Sequence, residues 1–217
     1  NRQNARGLIA ELSTVVHECG HIYDIDRGTF STDFYQLADG VSFTCNSGDT
    51  TTRGGDTFAR SRMNGDEFSA LLPDDFYRDV YLDGDPDDGA FDGGDQGFNS
   101  VLEEATQYVN SLATDWALRD QLSFSVSARD GILTFLWYIE RYLHQARREF
   151  PSAYQRLSGD PCWREAILTL WGRAWLYLDL TKGIRQLGID DAAIEPLVLR
   201  PELLEEIDLL REAHGCP

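Results

Sequence analysis

The segment Thr14-Val15-Val16-His17-Glu18-Cys19-Gly20-His21 places two histidines four residues apart with a glutamate directly after the first. On a helix, positions four apart sit one above the other, so two imidazoles at this spacing can grip one metal ion. Glu18 stands about 100° round the same helix and therefore reaches a metal-bound water, not the metal. Zinc held by neutral histidines lowers the pKa of such a water towards ~7, and a neighbouring carboxylate can take its proton as the oxygen attacks a carbonyl. The chemistry these residues point to is metal-assisted hydrolysis of a peptide bond.

The element that must carry them is one helix. Leu8, Ile9, Leu12, Val15, Val16, Cys19 and Ile22 recur at spacings of three and four, which predicts an apolar side that buries against the rest of the fold. Gly20 removes the side chain next to the second histidine. Cys19, two residues from each histidine and about 200° away, is expected to be a core residue or half of a disulfide and not a ligand.

The chain that holds this helix has 217 residues, 42% of them hydrophobic, enough for one sizeable core in a single domain spanning 1–217. No stretch approaches the ~20 apolar residues of a membrane span. It begins at Asn1, which reads as a mature or trimmed segment. With 37 Asp and Glu against 19 Lys and Arg, the formal charge of -18 repels nucleic acid phosphates and anionic membrane surfaces, so the expected partner is a protein or peptide substrate. Cys19, Cys45, Cys162 and Cys216 lack the spacing of a cysteine zinc site; two disulfides fit a secreted or periplasmic protein and four thiols a cytosolic one, with export favoured.

From Arg27 to about Pro86 the helical period fades. Gly40 to Cys45 alternates as one strand, followed by a turn at Asn46-Ser47-Gly48-Asp49, and Asp66 to Leu72 reads as a short helix. Phe76, Tyr77, Val80 and Tyr81 form an aromatic cluster that suits a satellite core or a cleft wall. In the loop from Asp83 to Asp95, Asp83, Asp85, Asp87 and Asp92 alternate with glycine and other small residues, a pattern that can wrap Ca2+ with oxygen ligands or stand as a solvated acidic turn. It is not an EF-hand, because Asp88 stands where that loop needs glycine.

A third zinc ligand is still required. The extended metzincin pattern fails, since Asp24 and Arg27 occupy its glycine and third-histidine positions. Helical periodicity resumes at Phe98, and Glu103-Glu104-Ala105 on that helix resembles the glutamate-bearing helix of the gluzincin, or thermolysin-like, class of zinc metallopeptidases. Together with His17, Glu18 and His21, two short segments carry the resemblance. It implies Glu104 as the third ligand, although Glu103 is an alternative. It also implies a residue four positions on that orients a histidine, here Tyr108 for Glu104 or Gln107 for Glu103. A tyrosine at that place can accept the histidine N–H or steady an oxyanion. Gluzincins place strands before the motif helix, where this sequence has almost none.

Later helices follow. Ile132 to Leu143 is one amphipathic segment ending near Phe150; Asp160 and Pro161 cap another that carries Ile167, Leu170, Trp171, Ala174, Trp175 and Leu178 as its buried stripe; Pro201 opens a last one that runs to Gly215. His144 and His214 lie on these helices. The expected fold is mostly α with a small β element, a zincin-like helical core. The expected activity is that of a zinc peptidase, and the alternative is a non-catalytic binding module that retains the metal site.

Overall fold

The computed structural model describes residues 5–46, 97–122 and 124–216. Helix α1 (Ala5–Arg27) leads into a hairpin of strands β1 (Thr32–Ala38) and β2 (Val41–Asn46). The strands pair antiparallel, Tyr35 opposite Phe43 and Asp33 opposite Cys45. Their turn is Asp39-Gly40, and Gly40 takes a φ of 70°, a left-handed conformation that a two-residue hairpin turn demands and glycine adopts without strain.

Among the described residues, six further α-helices build the body: α2 (Gly97–Leu118), α3 (Ala128–Glu149), α4 (Pro151–Gly159), α5 (Pro161–Leu180), α6 (Asp191–Val198) and α7 (Pro201–His214). The architecture is mostly α with one small antiparallel sheet, as expected from the sequence. Helix α2 is central, packing against α1, α3, α5 and β1. Its Phe98, Val101, Leu102, Ala105, Val109 and Leu112 are all buried, at spacings of three and four that keep them on one side. Phe135, Leu136 and Ile139 of α3 and Trp163, Ile167 and Leu170 of α5 complete the same core. The α5 start is as anticipated: Asp160 accepts the Cys162 N–H at 2.8 Å, with Pro161 at the first helical position. Gly215 ends α7 with a φ of 83°. Trp171 and Trp175 lie at the margin of the core, half-buried, while Trp163 fills its centre.

The cysteines form one bridge, Cys45–Cys162, with Cα atoms 5.4 Å apart, which ties β2 to the start of α5. Trp163 reinforces that tie by donating its indole N–H to the Asn46 carbonyl at 3.0 Å. Cys19 and Cys216 are unpaired thiols, so neither two disulfides nor four thiols describes the chain.

Two expectations for α1 are corrected. Leu8, Leu12, Val15 and Ile22 are 42–63% exposed, and Cys19 is exposed instead of belonging to a core or a disulfide. The side of α1 that docks is the polar one, carrying Ser13, His17, Gly20, His21 and Asp24 against α2. Only Ile9 and Val16 of the apolar set are half-covered. The physical reason is that polar groups facing matched polar groups can be buried without loss, and α2 offers Glu103, Glu104, Gln107 and Asp115 to receive them. No helix among the described residues is long and apolar enough to cross a membrane. The turn at Ser47 to Asp49, the helix at Asp66 to Leu72, the aromatics Phe76 to Tyr81 and the calcium loop with Asp83, Asp85, Asp87 and Asp92 lie outside the described residues.

Candidate metal centre

Helices α1 and α2 cross so that His17 and His21 of the first face Glu104 of the second. His17 Nε2 lies 3.3 Å from Glu104 Oε2, and His21 Nε2 lies 3.6 Å from Glu104 Oε1. One ligand atom from each of the three residues falls within 4.8 Å of the others. A tetrahedral zinc ion with bonds of ~2.0–2.1 Å to nitrogen and carboxylate oxygen sets its donors about 3.3–3.4 Å apart, close to these two spacings, which run to different oxygens of Glu104. A two-histidine, one-glutamate donor set also leaves a fourth position for water or substrate. The three side chains are 13–20% exposed, reachable from solvent but walled by protein.

Glu103, the residue before Glu104, takes the other nitrogen of His21. Its Oε2 is hydrogen-bonded to His21 Nδ1, which fixes the proton there and leaves Nε2 with a lone pair towards Glu104. The two candidate glutamates therefore divide the work: Glu104 faces the Nε2 atoms of both histidines and Glu103 orients one of them. Burial acts to lower the His21 pKa, but the Glu103 hydrogen bond and the charges of Glu103, Glu104 and Glu18 offset it, and the net shift is upward. Glu18, three residues before His21 on the same helix, is exposed.

Behind Glu103 runs a chain of buried polar contacts. Gln107 donates from Nε2 to Glu103 Oε1 at 3.0 Å and to Asp24 Oδ2 at 2.9 Å. Asp24, 2% exposed, accepts the Gln36 backbone N–H at 3.2 Å, linking the site to β1. Its burial pushes its carboxyl up to about 6. Gly20 is required by this arrangement, since a Cβ there would stand 1.9 Å from Gln107 Oε1. At the other end Ser13 donates to Asp115 Oδ2 at 2.7 Å.

Tyr108 packs its ring edge-on to His17, centroids 4.7 Å apart, and stacks on Phe135 at 5.4 Å. Gly131 of α3 makes room for it, because a Cβ there would fall 2.1 Å from the Tyr108 ring. His144 lies outside the site, hydrogen-bonded through Nδ1 to Glu206 at 3.0 Å, and His214 sits in the last turn of α7. Asp24 and the orienting role of Glu103 are what sequence reasoning missed. The signals were an acid three residues after His21, hence on the same helical face, and the doubled glutamate itself.

Comparison of the chain with family models, with curated proteins and with solved structures found no match. The functional reading rests on this geometry and its chemistry.

Proposed function

We propose that the protein is a zinc-dependent peptidase in which His17, His21 and Glu104 hold the metal and Glu18 is the general base. The observation that carries this reading is the convergence of His17, His21 and Glu104, one ligand atom of each within 4.8 Å of the others, with Glu18 on the exposed side of the same helix. When bound there, zinc supplies a Lewis acid that acidifies a water molecule and polarises the substrate carbonyl. With a metal held by His17, His21 and Glu104, the Glu18 carboxylate would be the group that takes the proton of an attacking water. The same carboxyl, once protonated, would be placed to return that proton to the leaving amide nitrogen. Glu103 holds the Nδ1 proton of His21 so that the ring keeps one orientation throughout. The Tyr108 ring limits how far His17 can turn, and its hydroxyl is the candidate to steady the oxyanion.

The Cys45–Cys162 bridge fits a secreted or periplasmic protein, where disulfides persist. The acidic surface suits protein or peptide substrates better than nucleic acid. Metal analysis of the purified protein together with hydrolysis of a peptide mixture tests the reading. Glu18→Gln should keep about one zinc per chain while hydrolysis falls roughly 10²- to 10⁴-fold, the usual worth of a positioned acid–base group. Undiminished activity in that variant, or a wild-type protein that takes up no zinc, would overturn the proposal.

A further inference from the structure

The hydrogen bonds behind Glu103 do not end at Gln107. Asn110, three residues further along α2, turns its amide between neighbours from three elements. Its Nδ2 donates to the Gln36 carbonyl of β1 at 3.0 Å and, more weakly, to Gln107 Oε1 at 3.4 Å. Its Oδ1 accepts from Arg173 Nη1 of α5 at 3.0 Å. Arg173 is half-buried, with its guanidinium 5.7 Å from the centre of the Tyr177 ring. A continuous line of side chains thus runs from α5, which carries none of the candidate ligands, through Asn110, Gln107 and Glu103 to His21.

The line has a direction, and its fixed donors and acceptors set it. An amide side chain can turn over and exchange its donor for its acceptor, so Asn110 and Gln107 could each face either way by shape alone. A guanidinium carries N–H donors and no acceptor, and it keeps its proton in proteins. Facing it, Asn110 must present Oδ1, and the Gln36 carbonyl, which can only accept, calls for Nδ2 on the other side. With Asn110 Nδ2 towards it, Gln107 presents Oε1 and keeps both protons of its own Nε2 for Asp24 and Glu103. Glu103 receives one of those protons on Oε1, so Oε2 is the oxygen left for His21, and a carboxylate can only accept. The His21 proton is therefore held on Nδ1, and the Nε2 lone pair is the one that faces Glu104. The opposite tautomer would point an N–H at the place of the metal.

We infer that Arg173 is a positioning residue of the metal centre: acting through Asn110, Gln107 and Glu103, it selects the His21 tautomer that can bind a metal. Without its donors, Asn110 keeps only the Gln36 carbonyl to hold its amide in place, and the lock on Gln107 loosens with it. The inference rests on the metal-centre reading for its effect on zinc, while the tautomer itself is a property of the metal-free protein.

The test uses the full chain, first metal-free and then titrated with zinc. In metal-free protein with the ring neutral, nitrogen NMR shifts of His21 report which atom carries the proton, and the wild type should show Nδ1–H alone. Arg173→Met keeps the stem and removes the donors; it should leave His21 as a mixture of the two tautomers. Zinc binding should weaken about tenfold with it, the lower end of what the partners of metal-bound histidines contribute. Asn110→Asp sets an acceptor against both the Gln36 carbonyl and Gln107 Oε1, and it should do at least as much. Arg173→Lys retains a cation that can only donate, and it should restore the Nδ1–H tautomer and most of the affinity. Leu176→Ser, on the exposed side of the same helix, should change neither. A His21 proton that stays on Nδ1 in both Arg173→Met and Asn110→Asp would overturn the inference, and so would a loss of zinc binding that Arg173→Lys fails to restore. Wild-type protein that takes up no zinc, while its His21 tautomer still shifts with Arg173→Met, removes the metal reading and leaves the relay standing.

Discussion

The seam between α1 and α2 and the core shared by α2, α3 and α5 are built on opposite terms. In the core, Phe135, Leu136, Trp163, Ile167 and Leu170 are 0–1% exposed and hold together by apolar burial, which has no preferred direction. In the seam, Ser13, His17, His21 and Asp24 meet Asp115, Glu104, Glu103 and Gln107 through directed contacts. A core of this kind tolerates small shifts of its members, whereas a metal centre must hold its donors to a few tenths of an ångström. Hydrogen bonds supply that angular control. The seam sits on α2, whose other side is anchored in the core, so the apolar half of the molecule provides the rigid backing for the polar half.

The sharpest way to separate the two halves is to remove single carboxylates from the seam. Glu104→Ala deletes a donor and should abolish stoichiometric zinc binding, while Glu103→Ala deletes only the partner of His21 and should weaken zinc about 10- to 100-fold. Competition against a chelator of known affinity measures both. Equal loss in the two variants would remove the division of roles between the glutamates. Neither substitution should shift the melting temperature of the metal-free protein as far as Leu136→Ala, a core truncation expected to cost about 2–5 kcal/mol.

The core contains one group that breaks its own rule, and this gives the next largest effect. Glu140 of α3 is 0% exposed, and neither carboxyl oxygen has a hydrogen-bond partner. Burial, with a smaller contribution from the charge of Glu206, pushes its carboxyl from the ordinary 4.5 up to about 10. The folded state therefore keeps a proton that the unfolded chain releases above pH 4.5. Stability is unaffected by this group below that pH and falls by about 1.4 kcal/mol per unit between the two values. Glu140→Gln removes the dependence and should stabilise the protein by roughly 3 kcal/mol at pH 7, with no gain near pH 4. Denaturant unfolding at both pH values checks it; a gain that is the same at both would mean the carboxyl is not held neutral. Asp24 in the seam is shifted in the same direction but less far: burial raises its carboxyl to about 6, against the lowering effect of the N–H groups that Gln36 and Gln107 donate to it.

What the sequence made legible follows the same division. The H-E-x-x-H spacing put both histidines on the side of α1 that meets α2, and the doubled glutamate marked the facing helix, because helical periodicity alone brings such groups onto known faces. The amphipathic stripes of α3 and α5 also gave the core, with Ile132, Leu136, Ile139, Ile167 and Leu170 all buried. Periodicity misled most for α1, and in α5 it counted Trp171 and Trp175 as buried where they are half-buried. Two faces of that helix competed, one apolar and one polar, and a count of apolar residues assigns burial to the wrong one when polar partners exist across the seam. Glu103, Gln107 and Asp24 form a network whose members lie as far as 83 residues apart, and no local pattern records such a pairing. The partner of Cys45 was equally hidden, since 117 residues separate it from Cys162 and four cysteines at irregular spacing allow several pairings.

The smallest effect is expected where the sequence seemed to promise the most burial. Leu12 is 42% exposed and Ile22 63%, on the side of α1 away from α2. Replacing either by serine removes little area that folding takes out of water, so each should change stability by no more than about 0.5 kcal/mol. Gly20→Ala, on the docked side of the same helix, should cost more. Its new Cβ must drive Gln107 from a site where that side chain is 1% exposed and bonded to both Glu103 and Asp24. A loss of about 1–3 kcal/mol follows from leaving those buried groups unmatched, together with weaker zinc binding. Thermal or denaturant unfolding of the three variants decides the matter. If Leu12→Ser or Ile22→Ser destabilises as much as Gly20→Ala, the apolar side of α1 is covered in solution, and the polar seam is not what fixes this helix to the fold.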